Sequence, residues 1–275
     1  MPETEPVELL DRAKGKEKEY NWIGAIGFYK KIVGHFLQRG DSLKAGEAAE
    51  RVGYCFHRAA MQAKSRDEFE KKMKLSIGAY ERAQGFYEKL QDQTKAGREF
   101  RSKAIATYLN YWLESNGIEK RKLLNECLEL EDKALAHFLK YGNMLEYGRT
   151  YNELGLVFFF RGYLEWDRQA LLQLINKGIE WGKKAISTLS KLDNSYELVR
   201  ANFTLATCLT FFASLDPMGV FIIEPEQMEK NRLEVIAIIE KALILSEKLE
   251  DAFLRGMLHL WLGFNIGSLT ASRRN

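Results

Sequence analysis

Three arginines, Arg98, Arg149 and Arg200, recur at intervals of 51 residues. A guanidinium is a planar fork of donors that grips a carboxylate or phosphate through two parallel hydrogen bonds. Carried on equivalent helices lying side by side, the three would form a ladder suited to an acidic segment or a C-terminal carboxylate. The plain alternative is that each arginine pairs with an acidic residue of a neighbouring helix. Farther along, successive side chains of Phe158-Phe159-Phe160 turn by about 100° on a helix, so one face cannot hold all three. Phe158 is expected in the core, and either Phe159 or Phe160 on a binding surface. Together with the arginines, Tyr108, Asn152, Phe159 and Phe211 are the expected partner-binding residues.

Other chemistry is sparse. None of His35, His57, His137 and His259 is followed by Glu, so the zinc-protease pattern is excluded. The residues three before them are Ile32, Tyr54, Ala134 and Gly256, which excludes the Glu-x-x-His of di-iron bundles. Phosphate-binding loops, nucleophile elbows and dinucleotide turns have no match either. The three cysteines, Cys55, Cys127 and Cys208, are far apart and form no Cys-x-x-Cys; they read as small buried hydrophobes in a reducing cytoplasm. The expectation is a non-catalytic protein with no metal and no cofactor. A small-molecule or peptide-sensing regulatory domain, or an enzyme with a pocket between helices, is the alternative.

Charge and composition narrow the class of partner. The formal net charge is +3, against the clear basic excess of a nucleic-acid binder. Hydrophobic residues make up 46% and charged residues 29%, a globular balance. The acidic start Met-Pro-Glu-Thr-Glu-Pro lacks the pattern of a signal peptide. Residues 252–271 are largely apolar, but Arg255, His259 and Asn265 would each be costly in hydrocarbon, so no membrane anchor is expected.

Those residues must be positioned by a repeat. Gly46, Gly97, Gly148 and Val199 are spaced by 51, and Gly256 follows after a further six-residue insertion. Five positions before each stands an Asp or Asn: Asp41, Asp92, Asn143, Asn194 and Asp251. Such side chains accept hydrogen bonds from the unpaired N–H groups of a helix's first turn, so all five are expected N-caps. Glu146 and Glu197 complete capping-box spacing in two of them. Twelve positions past the caps come Gly53, Ala104, Gly155, Ala206 and Gly263, small residues that let a neighbouring helix approach. Later in each unit, Ala83, Ala134, Ala185 and Ala242 each follow a basic residue. Apolar residues at helical spacing, such as Phe69, Met73, Tyr80, Ala83 and Tyr87, complete the picture of two antiparallel helices per unit.

The expected organisation is a single all-α domain over residues 1–275. It has an N-terminal helical segment at 1–40, hairpins at 41–91, 92–142, 143–193 and 194–250, and a last helix at 251–275. Two prolines and a glycine make 216–225 a loop. Leu154-Gly155 followed by Phe158, Leu262-Gly263 followed by Ile266, and the Lys-Ala-Leu runs at 133–135 and 241–243 resemble the tetratricopeptide repeat. The resemblance covers about 41–270 and is to a long-repeat variant, because that family's usual period is about 34. The family's turn proline is replaced here by Leu90-Gln91-Asp92 and Leu192-Asp193-Asn194. The resemblance implies a right-handed α-solenoid whose concave face binds protein or peptide, with the arginine column facing that groove.

The last helix carries apolar residues on more than one face, whereas solenoids normally end on a polar cap. Phe253, Met257, Trp261 and Phe264 are the expected contact of a homodimer.

Overall fold

The computed structural model describes residues 4–90, 92, 95–214, 225–247, 249 and 251–272. Every regular element among them is an α-helix: α1 (Thr4–Lys18), α2 (Trp22–Gln38), α3 (Ser42–Met61), α4 (Arg66–Glu88), α5 (Ala96–Leu113), α6 (Gly117–Lys140), α7 (Met144–Tyr163), α8 (Arg168–Leu189), α9 (Ser195–Ser214), α10 (Pro225–Ser246) and α11 (Ala252–Ser272). The pairs α3/α4, α5/α6, α7/α8 and α9/α10 are the hairpins expected from the 51-residue period, and α11 is a first helix. The chain is therefore an all-α helical repeat. The 1–40 segment resolves into two helices. Residues 216–224 of the expected loop lie outside the described residues, and Pro225 opens α10, where a missing N–H costs nothing. Where the period alone suggested one domain, the chain gathers into two compact units, Met1–Gly142 and Asn143–Asn275, divided at the boundary between the second and third hairpins.

Capping explains where most first helices begin. The Asp41 Oδ1 accepts from Lys44 N at 3.0 Å, Asn143 Oδ1 from Glu146 N at 3.2 Å, Asn194 Oδ1 from Glu197 N at 3.1 Å and Asp251 Oδ1 from Leu254 N at 3.0 Å. Asp92 is the exception. α5 starts at Ala96, its N-cap position is Lys95, and the Lys95 side chain makes no capping hydrogen bond; the backbone carbonyl of Asp92 accepts from Lys95 N at 2.8 Å. A local turn thus displaces the helix start by one turn. Gly40 and Gly142 stand just before two of the caps with φ of 73° and 72°, the left-handed conformation that ends the preceding helix.

Glycines on the first helices seat large residues of the second. A methyl group placed on Gly46 would stand 2.6 Å from Tyr87 Cε1; on Gly53, 2.7 Å from Tyr80 Cδ2; on Gly97, 2.7 Å from Phe138 Cε1; on Gly148, 2.7 Å from Leu189 Cδ2. Each of these four layers thus holds one glycine and one bulky side chain. The fourth hairpin reverses the sizes: Val199 takes the glycine's register and Ser246 the bulky one, and both are fully buried. At Gly155 the helices come closer still, with a methyl there 3.2 Å from Gly178 O and 3.3 Å from Gly182 N. Gly256 and Gly263 depart from the expected close approach: among the described residues nothing stands within 4 Å of a methyl on either.

A second device recurs at the small column. Ser76 Oγ donates to Gly53 O at 2.6 Å, and Cys127 Sγ to Ala104 O at 3.4 Å. Both donors lie on the second helix, 23 residues after the small residue whose carbonyl they reach. Cys127 is therefore a weak donor as well as a buried hydrophobe. All three cysteines are buried and unbridged.

Each unit has its own core. In Met1–Gly142 it includes Ile26, Tyr29, Val52, Phe56 and Tyr87, with Met73, Ile77 and Leu109 in a second cluster. In Asn143–Asn275 it includes Val199, Leu209, Val235, Ile239 and Leu258, with Leu171 and Ile175 in a second cluster. Among the described residues, no helix is long and apolar enough to cross a membrane.

Candidate functional site

The arginine column is already engaged. In the first unit, Arg98 Nη1 donates to Glu47 Oε1 at 2.6 Å. In the second, Arg149 Nε donates to Glu197 Oε1 at 2.8 Å and its Nη1 to Glu146 Oε1 at 3.4 Å, while Arg200 Nη1 donates to Glu197 Oε2 at 3.0 Å. Glu146 and Glu197 are only 4% exposed. Both sit at the third position of a helix, near the positive end of its dipole, which favours a buried carboxylate there. Two guanidiniums and two carboxylates balance in charge. The expected ladder is replaced by structural ion pairs, because the capping-box glutamates of α7 and α9 stand one helical turn from the arginines.

The aromatic residues are placed differently. Phe159 of α7 and Phe211 of α9 meet edge to face with ring centroids 5.3 Å apart. Phe159 touches Phe160 in the same manner at 5.2 Å, and Tyr163 lies 5.9 Å from Phe211. Phe159 and Phe211 rest on buried Leu171 and Ile175 of α8. The rings are half-buried, and Tyr163 is 63% exposed. Two first helices from consecutive hairpins thus present one aromatic surface with a floor of aliphatic core. Tyr163 extends it beyond the residues singled out from sequence; its signal was there, four residues past Phe159 on one helix face.

Other expected residues fall elsewhere. Phe158 is half-buried against α8, with Lys177 Nζ 5.5 Å from its ring centre, and the fully buried neighbour is Val157. Asn152 is 2% exposed, and its Oδ1 meets no donor among the described residues, so it lies beneath the surface and not on an open floor. Tyr108 belongs to the first unit, where it stacks on Tyr111 at 6.2 Å and meets Trp112 edge-on at 6.3 Å. On α11, Phe253 and Phe264 are exposed and Met257 is partly so, but Trp261 packs toward Leu254 and Leu258. Leu260, not singled out from sequence, is 63% exposed and takes its place on the outer face.

A further charged and aromatic cluster lies in the first unit. Arg51 Nη2 donates to both Glu17 carboxylate oxygens at 2.5 Å and lies 4.5 Å from the Tyr54 ring centre. Arg58 lies 5.0 Å from the Trp22 ring centre, and Trp22 meets Tyr54 edge-on at 5.9 Å. Burial works against the charge on Arg51, and Glu17 more than offsets it. Burial, reinforced by Glu17, pushes the Cys55 thiol well above its usual range. Glu17 lies 34 residues from Arg51, outside the repeat, so no periodic signal joins them.

Among the described residues, no group of three His, Cys, Asp or Glu side chains is placed to hold a metal. No protein-family model matches the chain, and no curated protein does. Among solved structures, it is similar to a de novo designed helical repeat protein, at 12% identity and a TM-score of 0.31, over 97% of this chain and 95% of that one. It is also similar to a circular tandem repeat protein of novel repeat topology, at 13% identity and a TM-score of 0.35, over 91% of this chain and 65% of that one. The all-α repeat described above stands on this chain's own helix order and register.

Proposed function

We propose that the chain is a non-catalytic scaffold that binds a protein or peptide segment on the aromatic surface of α7 and α9. The observation that supports this is the shared patch of Phe159, Tyr163 and Phe211 on two consecutive first helices. Rings have few rotors to freeze and carry large apolar area, so a half-buried aromatic group held by core beneath is an efficient anchor site. The fitting partner is an amphipathic helix or extended segment that inserts apolar or aromatic side chains. Carboxylates of the partner play a lesser part in this reading, because binding them at Arg149 or Arg200 would mean displacing Glu197.

Peptide-display selection against the full chain tests the proposal. Selected peptides should carry aromatic or large aliphatic anchors. Phe211→Ala should weaken them at least tenfold, a loss of about 1.4 kcal/mol, whereas Arg149→Ala should change affinity less than threefold. Acidic peptides that tolerate Phe211→Ala and fail with Arg149→Ala would overturn this seat in favour of the arginines.

A further inference from the structure

The outer face of α11 repeats the packing rule of the hairpins with itself. Phe253, Gly256, Met257, Leu260, Gly263, Phe264 and Gly267 fall within about 120° of arc at 3.6 residues per turn. No polar residue between 253 and 267 enters that arc. Leu254, Leu258, Asn265 and Leu269 of α11 are buried and lie on the opposite side. Asn265 is anchored there, donating from Nδ2 to Thr210 Oγ1 at 3.0 Å. Phe253, Leu260 and Phe264 are 50%, 63% and 47% exposed. Among the described residues, nothing stands within 4 Å of a methyl on Gly256, Gly263 or Gly267.

The sizes of these residues are antisymmetric about Leu260. Three positions away stand Met257 on one side and Gly263 on the other. Four positions away stand Gly256 and Phe264; seven positions away, Phe253 and Gly267. Wherever one arm has a large side chain, the other has a glycine. Gly256 and Gly263 also occupy the registers where Gly46 and Gly53 receive Tyr87 and Tyr80, two large residues seven apart on an antiparallel helix. Phe264 and Met257 are likewise seven apart.

From this we infer that α11 is a self-association surface: it pairs antiparallel with α11 of a second copy of this chain, about a two-fold axis at Leu260. Leu260 then meets its own counterpart at the axis, and each layer on either side holds one glycine and one large side chain, as the glycine layers of the hairpins do. A parallel pairing would set Phe against Phe and glycine against glycine, with clashing and empty layers by turns. A two-fold axis places the same patch on both partners, and a face whose large and small residues exchange about one point is complementary to itself. Arg255 and His259 lie to one side of the arc and stay in water. The stripe is about 21 Å long at 1.5 Å per residue, a small contact, so the pairing is sought at micromolar concentrations and above. The inference is independent of the aromatic seat on α7 and α9.

Sedimentation velocity of the full chain from 1 to 200 µM tests it. The expected result is reversible dimerisation. Leu260→Glu, at an exposed site, should weaken it at least tenfold with unchanged helical circular dichroism and Tm. Gly263→Met sets two methionines in one layer and should also weaken it at least tenfold; adding Met257→Gly restores one large and one small residue and should recover the dimer. A monomer at every concentration overturns the inference, as does a dimer indifferent to Leu260→Glu, or a Gly263→Met loss that Met257→Gly does not repair.

Discussion

Glu47 and Arg98 hold the same register position in consecutive repeats, and they hold each other, Nη1 to Oε1 at 2.6 Å. In the second unit the register carries arginine twice, at Arg149 and Arg200, and Glu197 accepts from both. Like charges stacked by the repeat are neutralised by a carboxylate that the capping motif supplies from the helix start. A column that looks like a ligand ladder is, in this chain, part of the glue between successive first helices.

The two pairings differ in worth because they differ in burial. Glu47 is 44% exposed on its side chain and Glu197 5%. Arg98→Ala should cost under about 1 kcal/mol, and less in high salt. Glu197→Ala leaves Arg149 and Arg200 without their shared carboxylate and should cost about 3 kcal/mol. Urea unfolding of both variants at low and high salt checks the ratio.

Glycine-to-alanine substitutions should split by sign. Gly46→Ala drives a methyl into the Tyr87 ring and should destabilise by about 1–3 kcal/mol, despite alanine's better helix propensity. Gly85 of α4 has nothing within 4 Å of that methyl. Gly85→Ala should stabilise by about 0.5–1 kcal/mol. Thermal melts of the two variants side by side read the difference.

The turn before α7 concentrates two backbone requirements. Gly142→Ala forces a side chain onto a φ of 72° and should cost about 1 kcal/mol. Asn143→Ala removes the cap on Glu146 N and should cost a further similar amount, about 1 kcal/mol. Chemical denaturation of the single variants measures each.

Burial pushes the Cys208 thiol up to about 12 from its ordinary 9.0. The folded state therefore keeps its proton longer than the unfolded state does. The sign follows: this contribution to stability is fully present below pH 9 and is lost as pH rises from 9 toward 12. Cys208→Ala should show a shallower fall in stability over that window than the parent chain, read by urea titration at stepped pH. Alkylation of Cys208 at pH 8.5 should be slow in the native chain and fast in urea.

Much of this molecule was legible in its residues because the relevant physics is local. A helix start needs one acceptor within three residues, so Asp41, Asn143, Asn194 and Asp251 announced four of them. The fifth, Asp92, failed for an equally local reason, a turn that moved the start of α5 to Ala96. The 51-residue spacing of small residues was enough to pair first and second helices, since a glycine facing a ring or leucine is a size match that two columns can express. What the residues alone left open was occupancy. Arg149 meets Glu197 across 48 residues, Phe159 meets Phe211 across two helices, and Gly256 has the same register as Gly46 but no atom of the described residues within 4 Å of a methyl there. Periodicity says which face a residue joins; only the folded chain says what stands opposite it, because burial and pairing are properties of two surfaces brought together.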